Sequence, residues 1–80
     1  EINLEDALIK VRKAITLTTD DLARQANIID TEAEVLWKMK QYDKAIEAIN
    51  RSISIDPTNE YFKNQKEKFI QSKKNISQSA

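Results

Sequence analysis

Residues Tyr42–Ile55 have the sequence YDKAIEAINRSISI, and a similar pattern occurs earlier, in LEDALIKVRKAITL at Leu4–Leu17. The two stretches are offset by 38 residues, so that Ile49 corresponds to Val11. In both, apolar and small residues recur at steps of three and four, which is the spacing of one face of an α-helix. A helical unit repeated every 20–50 residues or so is typical of solenoid proteins, in which each unit buries its apolar face on its neighbour. The repeat therefore indicates a scaffold that holds other proteins.

The composition favours one small helical domain without the usual catalytic groups. The 80 residues include no glycine and one proline, so we expect few turns and many helix formers. Cysteine and histidine are absent, which excludes disulfides, thiolate metal sites and the commonest general base. With no glycine-rich phosphate loop either, the chain is not expected to be an enzyme or to bind a cofactor or metal.

The charge balance and hydropathy bear on partners and compartment. Lys and Arg number 13, as do Asp and Glu, whereas a nucleic-acid surface needs a basic excess. No apolar run approaches the roughly 18 residues of a membrane span. The opening Glu-Ile-Asn-Leu-Glu-Asp lacks the basic and apolar regions of a signal peptide. We therefore expect neither nucleic acid nor membrane as a partner. The cytoplasm is favoured, with the periplasm as the alternative for a fragment of an exported protein.

Hydrophobic periodicity predicts four helices and an all-α fold of antiparallel helix pairs. Their predicted bounds are about Leu4–Leu17, Asp20–Lys40, Asp43–Ile55 and Glu60–Lys73. Asn3 is a candidate N-cap for the first helix. Pro57 ends the third, because proline lacks an N–H and disfavours a helical residue before it. Residues 74–80 are small and polar, and are predicted to form a flexible tail.

Each of the four predicted helices carries apolar residues on one side, which are expected to face the core. The main stripe of the second helix, at steps of four and three, is Leu22, Ala26, Ile29, Ala33 and Leu36. One side of the fourth helix carries Tyr61, Phe62, Phe69 and Ile70.

Residues in and around the second and third helices also occur at the spacings of a known helical repeat. They are Ile29, Glu32, Ala33, Leu36, Ala45, Ile49 and Pro57. With them, the chain resembles the tetratricopeptide repeat family. The resemblance implies a right-handed α-solenoid fragment of about four helices over residues 1–73, made of half a repeat, one full repeat and a capping helix. A generic three- or four-helix bundle would satisfy the same apolar stripes.

The chain departs from the family pattern at several positions. Glu32 replaces a leucine, and Lys40 replaces the turn glycine, where a left-handed conformation would be strained. The 38-residue offset exceeds the family's period of about 34, which predicts an extra helical turn around Leu22–Ile28. In the fourth helix Lys66 and Glu67 replace a leucine and a small residue. A polar face there fits the C-terminal end of a repeat array.

The resemblance further implies a binding groove lined by the first helix of the repeat. The equivalent positions in this chain are Asn27, Asp30, Thr31, Glu34, Trp37 and Lys38. Family members that grip a C-terminal carboxylate carry lysine and asparagine at such positions. Because this chain has Asp30 and Glu34, a peptide of mixed or basic charge is the more consistent ligand.

Three of these residues have simpler explanations. Asp30 and Glu34 lie four residues apart and could face one cation, but hard cations usually need more oxygen ligands than two carboxylates supply. Glu34 also precedes Lys38 by four residues, which predicts an ordinary surface ion pair. Trp37 could anchor a peptide. Partial burial at a helix junction is the favoured interpretation.

The leading functional interpretation is a non-enzymatic module that binds a peptide or a protein surface. One alternative is a structural cap or self-association segment of a longer array, acting through the exposed first helix. Another is an accessory C-terminal tail of an enzyme such as a thioredoxin-like protein.

Overall fold

A computed structural model describes residues 3–79, and within this range the chain forms four α-helices and no strand. They are α1 (Leu4–Thr16), α2 (Leu22–Lys38), α3 (Tyr42–Ile55) and α4 (Glu60–Ser79). Helix α2 packs against both α1 and α3, and α3 packs against α4. The predicted all-α class with four helices is confirmed. No helix within residues 3–79 is both long and apolar enough to cross a membrane.

Side-chain caps define where the first two helices begin. The Asn3 side chain accepts a hydrogen bond from the Asp6 backbone N–H at 3.1 Å, as predicted for an N-cap. The Asp21 side chain accepts from the Arg24 backbone N–H at 3.1 Å. Helix α2 therefore begins at Leu22, two residues after the predicted start, because the second of the two aspartates is the cap.

The turn between α2 and α3 is closed by a left-handed residue. Lys40 has a φ of 64°. Its N–H donates to the Trp37 carbonyl at 2.9 Å, and the N–H of Gln41 donates to the Leu36 carbonyl at 2.9 Å. This pair of hydrogen bonds is the Schellman motif of helix C-termini. A residue other than glycine at its left-handed position, here Lys40, lowers stability by about 1 kcal/mol relative to glycine. Helix α2 consequently ends at Lys38, two residues earlier than predicted.

Helix α4 is longer than the sequence pattern predicted. It extends to Ser79, six residues beyond the predicted end at Lys73, so that end is wrong. The polar residues after Lys73 include no proline or glycine to stop the helix. The flexibility assigned to residues 74–80 stays a prediction. Residues 1 and 2 of the predicted domain and residue 80 of the predicted tail lie outside the described range.

The core lies between the helices and relies on small residues where α2 and α3 cross. Its buried members are Leu8, Ala26, Ile29, Ala33, Leu36, Ala45, Ala48, Ile49, Phe62 and Phe69. Ala33 and Ala45 have no exposed surface, and their size lets the two helix backbones approach closely. The buried hydroxyl of Ser52 in α3 also donates a hydrogen bond to the Ala26 carbonyl of α2, at 2.8 Å.

Two residues of the predicted core are exposed. Leu22, 59% exposed, is the first residue of α2 and lies one turn before the buried Ala26. Tyr61 is 60% exposed, whereas the adjacent Phe62 is buried. Successive residues of a helix point about 100° apart, so only one of these two rings can face α3.

Candidate functional site

The six residues predicted to bind a peptide all lie on α2, but the structure divides them into two sets. Asn27, Thr31 and Lys38 are exposed. Asp30, Glu34 and Trp37 are partly buried and contact α4. Steps of three, four and seven residues bring Asn27, Thr31, Glu34 and Lys38 onto one side of α2. The predicted set is thus one surface, part of which already serves internal packing.

Two carboxylates of α2 hold α4 in place. Asp30 Oδ1 and Glu34 Oε2 each accept a hydrogen bond from Nε2 of the buried Gln65, at 3.2 Å. Lys68 Nζ lies 3.1 and 3.0 Å from the two Glu34 oxygens. The sequence spacing predicted an ion pair between Glu34 and Lys38. Glu34 pairs instead with Lys68 of α4, so that prediction is wrong. These bonds satisfy charged groups at a partly buried junction and fix α4 beside α2.

Trp37 lies at the same junction, one turn after Glu34. Its indole Nε1 donates to Ser72 Oγ at 2.9 Å, and its ring centroid is 6.2 Å from that of Phe69. Lys68 Nζ lies 4.2 Å from the Trp37 centroid, within the range of a cation–π interaction. The partial burial favoured for Trp37 is confirmed, and its role as a peptide anchor stays a prediction.

Asp30 has a perturbed acidity. Burial at the α2–α4 junction raises its pKa above the ordinary value of 3.8. The hydrogen bond from Gln65 and the charge of Lys68 partly offset this rise in pKa, whereas the charge of Glu34 adds to it. The Asp30 carboxyl group therefore keeps its proton to a higher pH in the native state than in the unfolded state. The Asp30 contribution to stability falls as the pH rises through its native pKa.

A second charged cluster lies on a different side of α2. Glu32 is only 3% exposed. Its Oε2 accepts from Arg12 Nε of α1 at 2.9 Å, and its Oε1 accepts from Arg51 Nη2 of α3 at 2.6 Å. One buried carboxylate thus joins three helices. Glu32 departs from the family pattern, and its two arginine partners were not predicted, although an acidic residue within an apolar stripe signals that a cation must reach it.

Comparison with known families bears on the part of the chain formed by α2 and α3. Residues 26–59 match the family model for the tetratricopeptide repeat. This part of the chain is a tetratricopeptide repeat. No curated protein and no solved structure matches the chain. The matched residues span α2 from Ala26, all of α3 and the turn that leads to α4.

The tetratricopeptide match clarifies the departures seen in the sequence. The first turn of α2, residues 22–25, precedes the matched segment, and the extra turn predicted around Leu22–Ile28 stays a prediction. Glu32 occupies the family's leucine position, where its two arginine partners neutralise the buried charge. Lys40 occupies the position of the family's turn glycine and adopts its left-handed conformation. Tetratricopeptide repeats generally act as protein-interaction modules and are typically non-catalytic, so this is the functional class of the matched segment.

Proposed function

We propose that this chain is a non-enzymatic binding module that holds a peptide or a partner's surface beside the α2–α4 junction. The exposed residues of this surface, called the α2–α4 face, are Asn27, Thr31, Lys38 and Tyr61. One observation carries the proposal. Asp30, Glu34 and Trp37 are bonded to α4, while Asn27 and Thr31 beside them are exposed. The internal bonds fix two helices into one surface, and the exposed side chains on it are free to contact a ligand. A surface ordered before binding loses less entropy when the ligand arrives.

The charges on this face narrow the ligand chemistry. Asp30 and Glu34 are offset by Lys38 and Lys68, so neither sign is in excess. Both carboxylates already accept hydrogen bonds from α4, which weakens the argument for a basic peptide. Tyr61, one turn before Gln65 on α4, offers an exposed aromatic ring. A polar segment of mixed charge with an apolar or aromatic residue is the ligand that we propose.

A peptide selection with chemical-shift mapping tests the proposal. Peptides selected from a random displayed library on the whole chain are titrated into labelled protein. We expect the largest shifts at Asn27, Thr31, Lys38 and Tyr61. Thr31→Arg should weaken binding by about tenfold, because a long cation then projects from an exposed position on the face. The matched change on α3, Asn50→Arg, should leave affinity unchanged. Shifts confined to α1 and α3 would contradict the proposal.

Self-association through α1 is a second candidate, and a specific observation favours it. Ala45 and Ile49 of α3 are fully buried, whereas Ala7 and Val11, their counterparts 38 residues earlier, are only partly buried. The face of α1 that corresponds to the packed face of α3 is therefore covered less completely within residues 3–79, and such apolar surface favours association.

Light scattering over a range of concentrations tests this second candidate. We expect the average mass to rise with concentration, because association covers the apolar face of α1. Ala7→Lys, which places a charge on that face of α1, should return the protein to a monomer. Leu22→Lys places the same charge at an exposed apolar residue of α2, serves as the control and should leave the concentration dependence intact. A strict monomer at every concentration would exclude this candidate.

A further inference from the structure

A groove between α1 and α3 forms a second surface, separate from the α2–α4 face. Helix α2 is its floor, where Glu32 meets Arg12 of α1 and Arg51 of α3. Arg51 lines two cavities along the groove. One, of about 370 Å³, is lined mainly by Ile15, Ile29 and Ile55. The other, of about 210 Å³, is polar and adjoins both arginines. The groove thus places an apolar cavity beside a pair of guanidinium groups.

The two guanidinium groups are held from below and keep donors available. Each donates one hydrogen bond to Glu32, at 2.9 Å from Arg12 and at 2.6 Å from Arg51. Within residues 3–79 neither has another hydrogen-bond partner, although a guanidinium carries five N–H donors. The arginine side chains are 53% and 54% exposed, whereas Glu32 is buried. The carboxylate therefore positions both cations and leaves most of their donors facing water or a ligand.

The charge of this cluster selects the ligand. Two guanidinium groups face one carboxylate, and Lys44 and Glu47 on the same cavity wall offset each other. One positive charge remains in excess, and a carboxylate is its natural complement because guanidinium can bond it through two parallel donors. The neighbouring cavity is apolar and open, with Gln25 and Ser54 at its sides. Its volume of about 370 Å³ is more than sufficient for one apolar side chain.

We propose that the α1–α3 groove binds an acidic peptide segment of a partner protein. A carboxylate of the segment lies against Arg12 and Arg51, and a nearby apolar side chain enters the cavity formed by Ile15, Ile29 and Ile55. This site does not depend on the α2–α4 face, and the two surfaces could hold different segments at once. Glu32 then has a role beyond packing, since its carboxylate keeps both arginines at the groove.

Short blocked peptides are the probe for this groove. Each ten-residue peptide carries one glutamate and one leucine in a background of alanine, serine and glutamine, with the two placed one to four positions apart. At least one spacing should give saturable shifts of the Arg12 and Arg51 side-chain N–H groups and of the methyl groups of Ile15, Ile29 and Ile55. Replacing its glutamate by glutamine should weaken binding about tenfold. A peptide that binds no more tightly than free acetate, or equally well with glutamine, would overturn the proposal.

Two variants of the protein complete the test. Ser54→Asp puts a negative charge at the rim of the groove without touching Glu32, and should weaken binding about tenfold. Thr31→Asp makes the same change at an exposed position on the α2–α4 face and should have no effect. An unaltered affinity in Ser54→Asp, or an equal loss in Thr31→Asp, would refute the groove. Because Thr31 belongs to the other face, failure here leaves the α2–α4 proposal standing.

Discussion

Replacing Arg12 and Arg51 together by methionine is expected to lower the free energy of unfolding by about 3–5 kcal/mol. The change leaves Glu32, 3% exposed, as a buried carboxylate without a cation. Methionine retains much of the apolar stem of arginine, so the loss reports mainly on the charge. Urea denaturation followed by far-UV circular dichroism at neutral pH measures the difference.

A third substitution separates the buried charge from general damage. Adding Glu32→Leu to the double arginine variant should restore most of the lost stability, because no buried charge then remains. Glu32→Leu alone should be nearly neutral or stabilising, since the half-exposed arginines can return to water. If the double variant loses less than about 1 kcal/mol, or Glu32→Leu fails to rescue it, the cluster does not hold the three helices together.

Leu36→Ala is expected to lower the free energy of unfolding by about 2–5 kcal/mol. Leu36 is 1% exposed and lies in the core. Its truncation removes apolar contacts and leaves a cavity that its neighbours only partly fill. A single core in a chain of this size rarely supplies more than about 3–5 kcal/mol, so the variant should melt far below the original protein. Thermal denaturation gives the shift.

Leu22→Ala provides a matched control within the same helix. The sequence placed Leu22 and Leu36 on one apolar stripe, but Leu22 is largely exposed. We expect its truncation to change stability by no more than about 0.5 kcal/mol. Equal losses of stability at the two positions would mean that Leu22 is buried as deeply as Leu36. A melting temperature unchanged by Leu36→Ala would remove that residue from the core.

The sequence was sufficient to predict the helices and the crossing of α2 and α3. Ala33, Leu36, Ala45 and Ile49 recur at helical spacing, and all four are buried. Such periodicity is local, and the side chains on one face of a helix are buried together. It says less about helix ends, which depend on single caps and turns. Lys40 illustrates this, because its left-handed conformation ends α2 earlier than its helix-forming neighbours suggest.

The candidate site was only partly predictable. The family spacing placed six residues on one side of α2, but it could not show that Glu34 meets Lys68, which is 34 residues away. The local spacing favoured an ion pair between Glu34 and Lys38. Packing of α4 against α2 brings Lys68 to Glu34 instead. The partners of Glu32 were likewise out of reach, because no pattern within one helix indicates which arginine of another helix will approach it. Pairings between helices depend on tertiary geometry.

The Glu32 cluster also has an evolutionary consequence. Arginines at positions 12 and 51 are half exposed and tolerable beside a leucine, whereas a buried glutamate without them is costly. We therefore expect a lineage that starts from the family's leucine to acquire at least one arginine before the glutamate. Once the glutamate is present, mutations that remove both arginines are selected against. We expect the order of substitutions to be directional, and these three positions to change together among descendants of this chain.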